Sequence, residues 1–142
     1  MHFTRLNSKI FIMNIASLFL KLLEPCRRSF EKATADPVKA QEKILFEYLA
    51  RNKDTEYGRL YKFGRIHSIR DYRNAVPLVD YETIRPQMDR MTAGEQNILT
   101  KDAPTFFGST SGTTSLPKLI PTTKYSEMKK AQLLELWSSY IA

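Results

Sequence analysis

The sequence predicts an α/β fold that is mostly helical, with one strand–loop–strand segment near its C-terminal end. Two observations support this prediction. Apolar residues recur at helical spacing between capping and breaking residues over residues 8–100. At residues 105–123, β-favouring segments then flank a loop of small polar residues, and helical spacing returns after them. The chain has 142 residues, of which 42% are hydrophobic, so it can form a core.

The N-terminal segment Lys9–Leu23, KIFIMNIASLFLKLL, is apolar. A transmembrane helix needs about 20 apolar residues, and Asn14 and Lys21 interrupt this shorter run. No small-x-small cleavage site follows it. We therefore expect residues 1–25 to form an amphipathic or buried first helix that ends near Pro25, without stable membrane insertion. A targeting segment is the alternative.

Capping residues mark the starts of the next helices. Asp36 is expected to cap a helix whose first turn contains Pro37. Ser68 and Asp71 are typical of a capping box in which aspartate replaces glutamate, and Asp80 is expected to cap another helix. The apolar face predicted for the first of these helices comprises Val38, Ile44, Leu45, Tyr48 and Leu49.

Breaking residues mark where these helices end. Pro77 is expected to stop the helix that follows Ser68. Pro86 suits the first turn of a second helical half after Asp80, and Gly94 suits its C-terminal end. Residues 55–68, TEYGRLYKFGRIHS, are typical of a loop with a short helical turn.

The segments TFF (105–107) and LIPTT (119–123) favour extended backbone, so we interpret residues 105–123 as strand, loop and strand. Thr123 is then expected to cap the last helix. That helix carries an apolar stripe, for which core packing is a better interpretation than a cofactor site. The stripe comprises Tyr125, Met128, Gln132, Leu136 and Tyr140, widened by Ala131, Leu133 and Trp137.

The formal charge of +7 permits an anionic partner. Lysine and arginine alternate with acids in KAQEKILFEYLARNK and IRDYRNAV, which indicates a diffuse basic surface, and we expect no nucleic-acid partner. Cys26 is the single cysteine and forms no internal disulfide, which predicts a reducing compartment, the cytoplasm. With His2 and His67 as the only histidines, no His/Cys metal site is expected.

The loop in FFGSTSGTTSLPKLIPTT (106–123) is rich in glycine, serine and threonine and is followed by Lys118. Inward-facing amides form an anion nest, hydroxyls add donors, and a lysine supplies a point charge for phosphate. A polyphosphate-like ligand therefore suits the loop. The Walker pattern fails, because Gly112 is followed by Thr113 and Thr114, and no Gly-x-Gly-x-x-Gly run is present. An ordinary polar turn is the alternative.

The segment STSGTTSLPK (109–118) resembles the phosphate-binding signature of the adenylate-forming superfamily, which runs Ser/Thr-Ser-Gly-Thr-Thr/Ser and closes with Pro-Lys. The continuation LIPTT, with VPLVDYETIRPQMDRMTAGEQNIL upstream, is similar to the Gretchen Hagen three (auxin-responsive promoter) family of acyl acid amido synthetases. NKDTEYGRLYKFGRIHSIRDY is similar to that family's N-terminal region. The resemblance extends from Ser29 to the end of the chain.

The resemblance implies that residues 1–142 are the N-terminal, helix-rich piece of an adenylate-forming, firefly-luciferase-like large domain. It implies that a carboxylic acid is activated with ATP and magnesium to an acyl-adenylate, and that the acyl group then passes to an amine such as an amino acid. Hydroxyls and amides of the loop are expected to hold the β- and γ-phosphates, and Lys118 to offset the charge of pyrophosphate. The implied cofactor-binding residues are Ser109, Thr110, Ser111, Gly112, Thr113, Thr114 and Lys118.

The loop departs from the wider superfamily at Ser115, where glycine is common, and at Leu116, where a polar or basic residue is common. The resemblance places the adenine pocket, the magnesium-binding acid and a mobile C-terminal domain beyond Ala142. The chain is therefore interpreted as an N-terminal fragment, inactive in isolation, and its catalytic residues stay unassigned. Two alternatives stay open. The first is a non-catalytic protein, either a truncated remnant or a structural module. The second is an acyl-CoA ligase of the same superfamily.

Overall fold

A computed structural model describes residues 18, 21–110 and 117–141. The first helix, α1, contains residues 21–34. The elements after it are α2 (Pro37–Asn52), α3 (Glu56–Leu60), a 3₁₀ turn (Phe63–Arg65), α4 (Ile69–Ala75), α5 (Tyr81–Thr92), β1 (Pro104–Ser109), β2 (Leu119–Thr123) and α6 (Lys124–Ile141). These elements form two compact units, one of which is Val38–Glu127 and the other the described residues through 37 with those from 128 onward.

Side-chain caps set the starts of α3 and α4. Thr55 Oγ1 accepts a hydrogen bond from the Gly58 N–H at 2.9 Å. Ser68 Oγ accepts from the Asp71 N–H at 3.0 Å, and Asp71 Oδ2 accepts from the His67 N–H at 3.1 Å. The predicted capping box is therefore present. These bonds, chiefly the one from His67, hold the pKa of Asp71 below its usual value.

Helix α5 is continuous, although Pro86 lies inside it. Asp80 Oδ1 accepts from the Thr83 N–H at 2.9 Å, which confirms the predicted cap. At the other end Gly94 has φ +93°, and its N–H donates to the Met91 carbonyl at 3.1 Å, as in a Schellman motif. The sequence predicts a second half that begins at Pro86. The helix instead passes through the proline, because the residues after it pack into the core.

The segment after α5 is fastened to α3. The Glu56 N–H donates to the Asn97 carbonyl at 2.7 Å, and the Tyr57 N–H donates to the Ile98 carbonyl at 3.0 Å. Arg90 of α5 also donates to both carboxylate oxygens of Glu56 at 2.8 Å. These bonds place Ile98 where it can join the core beside α5.

Strands β1 and β2 pair antiparallel, with Phe107 opposite Pro121 and Ser109 opposite Leu119. Both segments that the sequence predicts as strands are therefore extended, and the residues between them, 111–116, lie outside the described residues. The adjoining core is formed by buried Met88, Met91 and Ile98, with Tyr81, Leu99, Phe107 and Leu119 packed against them. Helix α5 and both strands thus share one core, which fixes the end of the sheet where Ser109 pairs with Leu119.

Helix α1 does not end near Pro25, as the sequence predicts, but continues to residue 34. Arg27 pairs with Glu24 at 2.8 Å and with Glu31 at 3.0 Å. Such i,i+3 and i,i+4 pairs stabilise the helix beyond the proline. The part of this prediction that concerns residues 1–17, 19 and 20 lies outside the described residues. In the residues that the structure does describe, no helix is long and apolar enough to cross a membrane.

The apolar face predicted for α2 is only partly buried, and the apolar stripe predicted for α6 is exposed in this chain. In α2, Leu49 is buried, but Val38 and Ile44 are exposed. In α6, Leu133 and Trp137 keep 64% and 67% of their surface exposed, although Thr123 caps the helix as predicted by accepting from the Ser126 N–H. Periodicity finds the side chains that share a face, whereas the element that covers the face depends on long-range packing.

Candidate functional site

Three residues of the predicted site lie together at the end of the sheet where β1 ends and β2 begins, namely Ser109, Thr110 and Lys118. Ser109 is the last residue of β1, and Lys118 directly precedes β2. The Thr110 N–H donates to the Lys118 carbonyl at 3.1 Å, and the Lys118 N–H donates to Thr110 Oγ1 at 3.2 Å. Pairing therefore extends one residue beyond the strands, and these two bonds hold the ends of the loop together.

The hydroxyl groups of Ser109 and Thr110 differ in how strongly they are already hydrogen-bonded. Thr110 Oγ1 is engaged as an acceptor by the Lys118 N–H, yet its own proton can still be donated. Ser109 is exposed, and its hydroxyl makes a long contact of 3.5 Å to the Thr110 carbonyl. Thr110 thus secures the loop as well as offering a donor, whereas Ser109 can turn toward a ligand.

Lys118 is exposed, and its Nζ lies 5.9 Å from the centroid of the Tyr81 ring. Its charge also acts on two carboxylates at the start of α5. The pKa of Asp80 is lowered chiefly by hydrogen bonds from Thr83, and Lys118 contributes further. The pKa of Glu82 is lowered chiefly by Arg85, again with a contribution from Lys118. The ammonium group therefore lies over the Tyr81 ring and helps to lower the pKa of two carboxyls at the start of α5.

Tyr81 connects α5 to the start of β2, and nothing in the sequence pattern marks it as a site residue. Its hydroxyl oxygen accepts from the Leu119 N–H at 2.7 Å. Its ring packs against the Met88 and Met91 core, and the Arg85 guanidinium lies 4.9 Å from the ring centroid. The Leu119 bond joins residues 38 positions apart, so only the tertiary structure reveals it.

The remaining predicted site residues, Ser111, Gly112, Thr113 and Thr114, lie outside the described residues. Within residues 18, 21–110 and 117–141, no group of three or more histidine, cysteine or acidic residues could hold a metal ion. A shallow cavity of about 460 Å³ lies away from the predicted site, between the ends of α3 and α4. Its lining comprises Leu60, Tyr61, Lys62, Arg65, Ile66, Asp71, Asn74 and Ala75.

The arrangement at the strand ends suits an anion. An exposed ammonium group and an exposed hydroxyl stand at the base of a loop whose two ends are hydrogen-bonded to each other. A lysine binds phosphate oxygens as a point charge, and hydroxyls donate to the same oxygens. The exposed Lys118 and Ser109 side chains therefore offer an ammonium group and a hydroxyl group to an anion at this end of the strands.

Comparisons with known proteins agree with this description. Residues 26–142 match the family profile described as GH3 family N-terminal domain. The chain is 31% identical over 105 residues to indole-3-acetic acid-amido synthetase GH3.2 of Arabidopsis thaliana, covering 73% of this chain and 19% of that protein. It is 37% identical over 100 residues to indole-3-acetic acid-amido synthetase GH3.15 of the same plant, covering 69% and 17%.

A solved structure gives the same result. The AtGH3.15 acyl acid amido synthetase in complex with 2,4-DB superimposes with a TM-score of 0.65 at 28% identity. The match covers 85% of this chain and 20% of that chain. The chain thus spans about a fifth of the length of the relatives that it matches.

Proposed function

The chain belongs to the GH3 family, within its N-terminal domain, and we propose that it is the N-terminal part of an ATP-dependent acyl acid amido synthetase. The family match confirms the resemblance to the Gretchen Hagen three family that the sequence motifs indicate. The matched relatives are named amido synthetases, which favours amide formation over transfer to coenzyme A. We further propose a cytoplasmic location and a fold that forms part of an adenylate-forming large domain.

In the proposed reaction a carboxylate oxygen of the acid attacks the α-phosphorus of ATP. The bond from the α-phosphorus to the bridging oxygen breaks, and pyrophosphate leaves. An amine nitrogen, for example of an amino acid, then attacks the acyl carbonyl carbon and loses a proton, and AMP leaves. Magnesium supplies charge neutralisation on the phosphates when it is bound, and we propose that its ligands lie outside residues 1–142.

The contribution of this chain is to hold the phosphates. The observation that supports it is the pair of hydrogen bonds between Thr110 and Lys118, which closes the base of the loop and leaves the Lys118 ammonium exposed. We propose that loop amides and hydroxyls from Ser109 to Thr114 hold the β- and γ-phosphates. Lys118 then offsets the negative charge that develops on the departing pyrophosphate.

The test is acid-dependent exchange of labelled pyrophosphate into ATP by the full-length enzyme, because this measures adenylation without amide formation. A hydrogen bond to a charged group is worth about 1.5–3 kcal/mol, so Lys118→Ala should slow the exchange about tenfold to a few hundredfold. Lys43→Ala, which removes an exposed lysine of α2, is the matched control and should leave the exchange unchanged. Equal rates for Lys118→Ala and the control would reject the phosphate role. Absence of exchange in the unmodified enzyme would favour a non-catalytic remnant.

A further inference from the structure

We propose that Tyr81 is a positioning residue that holds Lys118 at the base of the phosphate-binding loop. The inference rests on the proposed function and adds a residue that the loop motif does not contain. Tyr81 contacts two consecutive residues, which are Lys118 directly before β2 and Leu119 at its start. Its ring faces Lys118 Nζ at 5.9 Å, and its hydroxyl accepts the Leu119 N–H at 2.7 Å.

The direction of the Leu119 N–H explains why a side chain is needed there. Thr110 and Lys118 exchange hydrogen bonds, so the next residue, Leu119, occupies a position whose N–H points away from β1. This donor is partly buried, and Tyr81 satisfies it. Without the hydroxyl oxygen the donor would be unpaired, and the start of β2 would lose its connection to α5.

Tyr81 is itself firmly placed. It is the first residue of α5, directly after the capping residue Asp80, and its ring packs against buried Met88 and Met91. A rigid core therefore fixes the ring, and the ring in turn limits where the Lys118 side chain can lie. An ammonium within about 6 Å of an aromatic centroid is attracted to the ring face, so the lysine stem is kept on this side of the strand.

The mechanism requires this placement because a point charge stabilises pyrophosphate only from a defined position. A displacement of about 1 Å in a catalytic contact can cost about a hundredfold in rate. Tyr81 thus acts on the reaction through Lys118, and the two side chains should be coupled. A purely structural role would make their effects independent.

The experiment is a double-mutant cycle on pyrophosphate exchange by the full-length enzyme. The variants are Tyr81→Phe, Lys118→Met and their combination, with Tyr72→Phe in α4 as the matched tyrosine control. Tyr81→Phe keeps the ring and the core packing, so the protein should fold, and kcat should fall about three- to tenfold with a smaller change in KM for ATP. Tyr72→Phe should leave both constants unchanged.

Coupling is the decisive result. In the Lys118→Met background, Tyr81→Phe should change kcat by less than about twofold, because no charge is left to position. If Tyr81→Phe slows exchange by the same factor in both backgrounds, or in neither, the positioning role is overturned while the loop function stands. If Lys118→Met alone leaves exchange unchanged, the proposed function fails, and this inference fails with it.

Discussion

Individual charged side chains hold distant segments of the Val38–Glu127 unit together. Arg90 of α5 pairs with Glu56 of α3 at 2.8 Å and with Glu95 after α5 at 2.5 Å. The pKa values of both carboxyls are lowered, chiefly by their hydrogen bonds to Arg90. The three side chains keep 40–50% of their surface exposed, so water and salt screen these pairs. Their role is to fix the register between α3 and the end of α5.

The salt bridges of Arg90 should make the free energy of unfolding depend on pH. Because folding lowers the pKa of Glu56 and Glu95, their contribution is complete above the usual glutamate pKa of 4.5 and is lost as pH falls below it through the folded values. Arg90→Gln should therefore lower the urea midpoint at pH 7, and its difference from the unmodified protein should shrink below pH 4.5. Arg70→Gln, an exposed arginine of α4, is the control. A difference that stays constant from pH 7 to pH 3 would contradict the prediction.

Helix α3 lies against the end of α2 so closely that residue 58 must be glycine. A Cβ atom at Gly58 would lie 2.0 Å from the Asn52 carbonyl oxygen and 2.9 Å from its carbon. The same carbonyl accepts the hydroxyl of Thr55, whose oxygen caps α3. Gly64 has no atom within 4 Å of such a Cβ. Packing thus requires glycine at residue 58 but leaves room for a Cβ atom at residue 64.

Gly58→Ala should consequently destabilise the chain much more than Gly64→Ala. Overpacking typically costs about 1–3 kcal/mol, and we expect Gly58→Ala to reach about 3 kcal/mol because the obstruction is backbone. Gly64→Ala should lie between neutral and about 1 kcal/mol stabilising. Urea unfolding measures both. Similar free energies of unfolding for the two variants would show that α3 can move away from Asn52.

Features that depend on neighbouring residues could be predicted from the sequence. The caps at Ser68 and Asp80, the Gly94 helix end and both strand segments follow from local chemistry, and the structure contains them. The loop motif names Thr110 and Lys118 as site residues, and their phosphate-binding role stays a prediction. Tyr81 could not be predicted in this way, because its role comes from an acceptor oxygen that meets a backbone donor from a distant strand.

The helical residues outside the Val38–Glu127 unit show what sequence periodicity can predict about packing in the whole molecule. In this second unit polar contacts connect α1 to α6, including Tyr140 with Glu31 at 3.4 Å and Cys26 with the Gln132 carbonyl at 3.9 Å. Leu23 of α1 is buried. Helix α6, by contrast, contains no buried residue, although its sequence carries a broad apolar stripe. Sequence periodicity therefore predicts an apolar surface here, and the structure leaves that surface exposed.

This exposed surface should bind an apolar dye. Leu133, Leu134 and Trp137 line a groove of about 330 Å³, and each keeps more than half of its surface exposed. Contiguous apolar surface of this kind attracts apolar molecules, whereas single exposed leucines are ordinary on proteins. The Leu133→Ser/Trp137→Ser double variant should therefore show much weaker fluorescence of an anilinonaphthalene dye than the unmodified chain. Leu78→Ser, which removes a fully exposed leucine between α4 and α5, is the matched control and should leave the dye signal unchanged. Equal dye fluorescence in the double variant and the control would show that the α6 surface does not bind the dye and is covered in solution.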